Sequence, residues 1–251
     1  MEREVGMAGL GQRANILTRS IKIGDRYIPV IIYDDHRTLL NVLYYARMKN
    51  ILRDAVQLIF FDYHDDAKPA NTKTLDKLRR IPIVEKNFRD FWNIVEFDLS
   101  ELDDDWLWAG MDYGLISNAV RVAGEEDSNV KKLNETFRNQ HQLDLWKWED
   151  LCGKAYEIFD QIEDSKRLPY VLDFDLDCFT DYNIGSKMAW SDDKFNSMFE
   201  DAAATRYVIR RFAQNAEFIT ICREPDCCGG ILESTKILYY LDRYVFDQKL
   251  G

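Results

Sequence analysis

Hydrophobic positions along the chain follow two alternating rhythms. Arg26–Tyr33 (RYIPVIIY) is β-branched and aromatic and predicts a strand. His36–Asn50 carries apolar residues at helical spacing and closes on a basic turn, which predicts a helix. Ala55–Asp62 (AVQLIFFD) is a nearly unbroken apolar run, as expected of a strand covered on both faces. Thr72–Arg80 and Asn87–Phe97 read as helices, as does Asp103–Ile116, with an acidic first turn and a bulky apolar face. Short strands are expected at Asn118–Ala123 and Leu143–Trp148, and an amphipathic helix at Asp150–Ser165. Tyr170–Asp175 (YVLDFD) is the third clear strand. Asp192–Asn215 reads as one long helix, Glu217–Cys222 as a strand and Leu232–Val245 as a closing helix. Strands alternating with helices predict an α/β fold, a three-layer α/β/α arrangement around a mostly parallel sheet. No repeat or proline-rich linker divides the chain, so residues 1–251 are read as a single domain.

Composition narrows the partners. Asp and Glu number 44 against 33 Lys and Arg, a formal charge of −11, which argues against nucleic acid and is compatible with a cationic substrate. No apolar run approaches the roughly 18 residues of a membrane span, and the opening MEREVGMAGL lacks a secretory apolar core. The five cysteines show no C-x-x-C pairing, so zinc-ribbon and disulfide frameworks are poor readings. The expected location is cytoplasmic, with no membrane partner. Cys227-Cys228, before Gly229-Gly230, reads as two small thiols in a tight turn.

Three acidic motifs fall where expected strands end. They are Asp34-Asp35-His36, then Asp62-Tyr63-His64-Asp65-Asp66, then Asp173-Phe174-Asp175-Leu176-Asp177. In extended chain, positions i, i+2 and i+4 share a side, which groups Asp62 with His64 and Asp66, and Asp173 with Asp175 and Asp177. Ligands of parallel sheets gather at the carboxyl ends of strands. Taken singly, Asp-Asp-His reads as a helix N-cap and D-x-D as a solvated strand end. Together they concentrate carboxylates and two of the chain's three histidines in one crevice, where uncompensated charge would be costly. One or two divalent cations would compensate it. Imidazole and carboxylate without thiolate suit Mn²⁺ or Fe²⁺ better than structural zinc, and carboxylates can bridge two ions.

These motifs resemble those of the ureohydrolase superfamily, the arginase and agmatinase group, which shares its fold with histone-type deacetylases. That group has a first histidine in G-G-D-H-S, then D-A-H-x-D, then a D-x-D after a strand. The matching strings here are Asp35-His36, Asp62 to Asp66, and Asp173-Phe174-Asp175, in the same order. Pro225 and Gly229-Gly230 are similar to a later Pro…Gly-Gly stretch of the family. FDYHDD, LDFDLD and CREPDCCGG look closest to a divergent branch that includes peptide arginases of ribosomal peptide maturation. The resemblance implies an arginase–deacetylase-like fold and two Mn²⁺ ions, with Fe²⁺ or Co²⁺ as substitutes. His36, Asp62, Asp66 and Asp173 would bind one ion; Asp62, His64, Asp173 and Asp175 the other.

The implied reaction is hydrolysis of arginine side chains in a precursor peptide to ornithine, with release of urea. Asp66 would handle the proton passed to the leaving amine. The family's guanidinium-binding glutamate corresponds in position to Thr235, which leaves Glu233 and Glu224 as the nearby acids for that role. The family's proton-shuttle histidine has no aligned match, and His141 is the remaining histidine. The chain's aromatic residues, six Trp among them, would line a peptide groove or the core. The alternatives are a hydrolase of a small guanidino compound or acylated amine on the same fold, a different dinuclear hydrolase such as a phosphoesterase, and a metal-stabilised binding protein without turnover. A homo-oligomer is compatible with the resemblance.

Overall fold

The computed structural model describes residues 7, 9–10, 15–64, 66–100, 102, 104–122, 128–138, 140–163, 169–183 and 186–250. In chain order, β1 (Leu17–Ile23) and β2 (Arg26–Tyr33) form a hairpin, and α1 (Thr38–Met48) leads into β3 (Val56–Phe61). Next come α2 (Thr72–Arg79), α3 (Phe88–Asp98), α4 (Trp106–Asp112), β4 (Ile116–Val122), α5 (Ser128–Thr136) and β5 (Leu143–Trp146). Then follow α6 (Leu151–Glu163), β6 (Tyr170–Asp175), a small hairpin of β7 (Thr180–Asn183) and β8 (Ser186–Ala189), α7 (Asp192–Asn196) and α8 (Ala203–Asn215). The chain closes with β9 (Ile219–Cys222), the single turn α9 (Pro225–Cys228) and α10 (Ile231–Val245).

Seven strands form one sheet in the order β1-β2-β9-β6-β3-β4-β5. Every pairing is parallel except β1 with β2. Crossover helices therefore cover both faces, as parallel pairing requires. On one face Ile31, Leu58, Phe60 and Val171 meet the apolar sides of α1, α3, α4 and α5. On the other, Ile32, Ile59, Phe61, Leu172, Phe174 and Ile221 meet α6, α8 and α10. Phe61 and Phe174, on adjacent strands, stack with ring centroids 5.0 Å apart. Among the described residues no helix is long and apolar enough to cross a membrane.

The α/β architecture is the one expected from the periodicity, and the departures have local causes. Strand β1 was not expected. Its sequence LTRSIKI alternates polar and apolar because it is an edge strand with one side in solvent, and Gly24 at φ +59° turns it into β2. The β7–β8 hairpin is polar and also escaped the pattern. The long helix expected at Asp192–Asn215 is broken by a wide turn at Ser197–Asp201 and by Ala202 at φ −89°, ψ 64°. The helix expected over Asp103–Ile116 runs only from Trp106 to Asp112, and Ile116 begins β4. The strand at Leu143–Trp148 stops at Trp146, before a 3₁₀ turn at Trp148–Asp150. Asp103, Ala123 and residues 164–165, which the expected boundaries included, lie outside the described residues.

Phe174 joins β6 to β3 and is fully buried. Phe174→Ala is expected to lower unfolding stability by about 3–5 kcal/mol, measured as a shift of the urea midpoint at unchanged slope.

Candidate metal centre

Four neighbouring strands, β2, β9, β6 and β3, end on one edge of the sheet and deliver the acidic motifs there. After β2, Asp34 turns outward to Arg223 (Nε–Oδ1 2.6 Å) and Asp35 pairs with Arg37 (2.7 Å), so neither enters the crevice. His36 follows at the entry to α1, its carbonyl accepting from Leu39 N at 3.0 Å. Its ring is fully buried beside the Trp106 indole, centroids 4.6 Å apart.

The two ring nitrogens of His36 face different carboxylates. Nε2 lies 2.8 Å from Asp173 Oδ2. Nδ1 points into a group of three: Asp66 Oδ2 at 2.9 Å, Asp175 Oδ2 at 3.3 Å and Asp62 Oδ2 at 3.6 Å. His36 Nδ1 and Asp62 Oδ2 are buried without a hydrogen-bond partner. Leaving such atoms unsatisfied away from water is costly. Burial, then Asp66 and Asp175, push Asp62 well above the usual carboxylate range. Burial, then Asp177 and Glu224, do the same to Asp175. Burial alone would lower His36, but Asp173, Asp175 and Asp66 hold it well above an ordinary imidazole. The protein atoms alone satisfy this cluster only by taking up protons. A divalent cation among Nδ1 and the three oxygens would meet the unpaired atoms and remove that need, and the donor set suits a hard or borderline ion.

A second group lies beside the first. Asp62, His64 and Asp177 present donor atoms within 4.8 Å of one another. His64 Nδ1 is 3.0 Å from Asp177 Oδ2, and His64 N donates to Asp62 Oδ1 at 2.7 Å. Burial would raise Asp177, but His64 and Lys187 outweigh it and hold it below its ordinary value. His36, Asp175 and Glu224 form a further group of this size, which places Glu224 over the crevice. Glu224 sits at φ +31°, just after β9, and burial pushes its carboxyl up.

The structure redistributes several of the residues expected at the site. Asp173 was expected as a ligand to both ions. Its Oδ1 accepts from Tyr33 (3.1 Å) and Thr220 (2.5 Å), and its Oδ2 faces His36 Nε2, so it fixes the imidazole from behind. The register accounts for this: Asp173 pairs with Thr220 inside the sheet, two residues before the strands end. Asp175 and Asp177 are the acids at the opening. The grouping of Asp62, His64 and Asp66 on one side assumed extended chain. The chain leaves β3 at Phe61 and Asp66 adopts φ +50°, so Asp66 joins His36 and His64 turns to Asp177. His141 lies at the opposite end of the sheet, where its Nδ1 meets Ser117 O at 2.6 Å near the start of β4. The fold does not bring it to this group. Glu233 accepts from Ala189 N at 2.9 Å and ties α10 to β8, so its carboxylate is occupied away from the cluster. Of the two candidate anchoring acids, Glu224 is the one the fold brings to the crevice. Trp106 was missed: its indole N–H donates to Asp66 Oδ2 at 2.5 Å, and WLWAG has only the periodicity of a core helix.

No protein-family model and no curated protein sequence matches the chain. Solved structures do. Proclavaminate amidino hydrolase from Streptomyces clavuligerus aligns with a TM-score of 0.50 at 10% identity over 87% of this chain. Arginase from Bacillus cereus aligns with a TM-score of 0.51 at 12% identity over 88% of this chain. The chain spans 62% of the length of the first and 72% of the second. These likenesses establish an arginase-like fold.

Mn²⁺ added to chelator-stripped protein is expected to raise the melting temperature, since an ion held at about 100 times its Kd adds roughly 2.7 kcal/mol. His36→Ala should abolish most of that rise in a thermal-shift titration. An unchanged rise in the variant would place the ion elsewhere.

Proposed function

We propose that the chain is a dinuclear, manganese-dependent hydrolase that converts arginine side chains of a peptide to ornithine with release of urea. The observation that carries the reading is the buried group of His36 Nδ1 with Asp62, Asp66 and Asp175, two of its atoms unpaired, at the carboxyl edge of an arginase-like sheet. The similar structures are an amidino hydrolase and an arginase by name.

His36, Asp62, Asp66 and Asp175 would hold one ion, and Asp62, His64 and Asp177 the other. Bound there, the ions would acidify water and stabilise developing negative charge. The chain's own groups do the rest. Glu224, half-buried and facing the crevice, pairs with the guanidinium and orients its carbon toward the acids. Asp66, held by the Trp106 indole, accepts a proton from the attacking water and passes it to the leaving nitrogen. The bond between that nitrogen and the guanidinium carbon breaks, giving urea and a primary amine. Asp173, anchored by Tyr33 and Thr220, keeps the His36 ring in place throughout.

A peptide is favoured over a free amino acid by the surface next to the site. Tyr63, Met188, Ile231 and Leu232 are exposed apolar side chains: Tyr63 stands between Asp62 and His64, Met188 follows Lys187, and Ile231 and Leu232 follow the Gly229-Gly230 turn. Such side chains can take the flanks of a substrate whose arginine enters the crevice.

The test is mass spectrometry of an arginine-containing peptide incubated with the Mn²⁺-loaded protein, with a urea assay and free arginine in parallel. A loss of about 42 Da per arginine with matching urea is the expected result, from replacement of a guanidino group by an amine. Reaction of free arginine alone would replace the peptide reading by a small-molecule one. Asp66→Asn is expected to lower kcat by about 10²–10⁴ while leaving the thermal transition of the metal-free protein in place. Full activity in that variant would remove Asp66 from the proton path.

A further inference from the structure

The two positions of the centre differ in how their charge is met. At the first, His36 Nδ1 and Asp62 Oδ2 face each other without hydrogen-bond partners. At the second, Asp177 is already served by the chain. Its Oδ1 accepts from Tyr63 N at 3.2 Å, and its Oδ2 meets His64 Nδ1 at 3.0 Å and Lys187 Nζ at 3.2 Å.

Lys187 is not a loose surface lysine. It stands on β8, in the hairpin outside the main sheet. Gly229, at φ +90°, packs so closely on this strand that a Cβ there would collide with the carbonyl oxygen of Lys187. Two residues further on, Ala189 N donates to Glu233, which pins the strand to α10. The ammonium lies 5.4 Å from the centroid of the Tyr63 ring, and the side chain is only 17% exposed. The backbone, an aromatic face and a buried carboxylate thus hold one positive charge at the second position.

Building on the metal-dependent reading above, we propose that Lys187 is a chain-supplied counter-charge that makes the two metal positions unequal. The His36 position fills first. The position of Asp62, His64 and Asp177 fills only as the Lys187 ammonium gives up Asp177, because two cations cannot share that oxygen without strong repulsion. Lys187 is therefore a positioning residue that sets the affinity of the second ion.

The experiment is calorimetric titration of chelator-stripped, full-length protein with Mn²⁺, with bound metal counted by elemental analysis after desalting. The wild type is expected to hold one tight equivalent and a second weaker by about tenfold or more. Lys187→Met and Lys187→Gln should tighten the second equivalent and narrow the gap. Lys187→Arg, which keeps the charge, should preserve it. His36→Ala should remove the tight equivalent in each background. Two equal equivalents in the wild type, or a gap unchanged in both neutral variants, would overturn the role of Lys187 and leave the metal-dependent reading standing. Failure of every folded variant and the wild type to bind Mn²⁺ would overturn both.

Discussion

Carboxylates packed at the end of a parallel sheet, away from water, require positive charge among them, and the architecture around the site answers that requirement. Asp62, Asp173, Asp175 and Asp177 are each buried at the ends of two adjacent strands. Left alone, such a group would either protonate or push the strands apart. Here two of the chain's own side chains supply part of the positive charge. His36 is wedged between Asp173 behind and Asp66 and Asp175 in front. Lys187 reaches in from a hairpin that has no place in the main sheet. Between them lies the group of unpaired atoms that suits an ion. Elements that look like additions to an α/β frame, the β7–β8 hairpin and the Gly229 turn, exist where the charge balance needs them.

Much of this frame is legible in the chain. Continuous apolar runs such as AVQLIFF have one reading in a protein of this size, a strand covered on both faces, and acids that follow such runs must lie at a sheet edge. The edge strand β1 and the β7–β8 hairpin were not legible, because half-exposed polar segments carry no run to detect. The assignment of acids to roles depended on where β6 ends. Asp173, Asp175 and Asp177 are equivalent in spacing, and only the register with β9 shows that Asp173 sits two residues inside the sheet, opposite Thr220. Asp66 and His64 separated because the chain after Phe61 turns through a left-handed residue, which a period-two argument cannot foresee. Trp106 could not be found at all, since a core tryptophan and a tryptophan that donates to a site carboxylate look the same in sequence.

Asp173 and Asp175 illustrate how much a single pleat decides. Both point to the same face of β6, and both are fully buried. One has its oxygens consumed by Tyr33, Thr220 and His36 and serves rigidity. The other, two residues on, looks out between His36 and Glu224, in a group that could hold an ion. Exchanging their surroundings would need only a two-residue slip of β6 against β9, and the burial of Phe174 and Leu172 on the opposite face does not forbid it, since a slip of two preserves facing. In the observed register the Tyr33 and Thr220 hydroxyls meet Asp173 and leave Asp175 at the opening.

The strands that carry the centre are not the edges of the sheet but its middle. β9 and β6 each have neighbours on both sides, and β1 and β5 are the strands with an open side. Amides in the middle of such a sheet are released to solvent only when the whole fold opens, whereas edge strands fray locally. Exchange of the backbone hydrogens around Asp173 and Thr220 is therefore tied to global unfolding. The strand residues that carry the centre open with the fold as a whole, and local fraying belongs to the two margins.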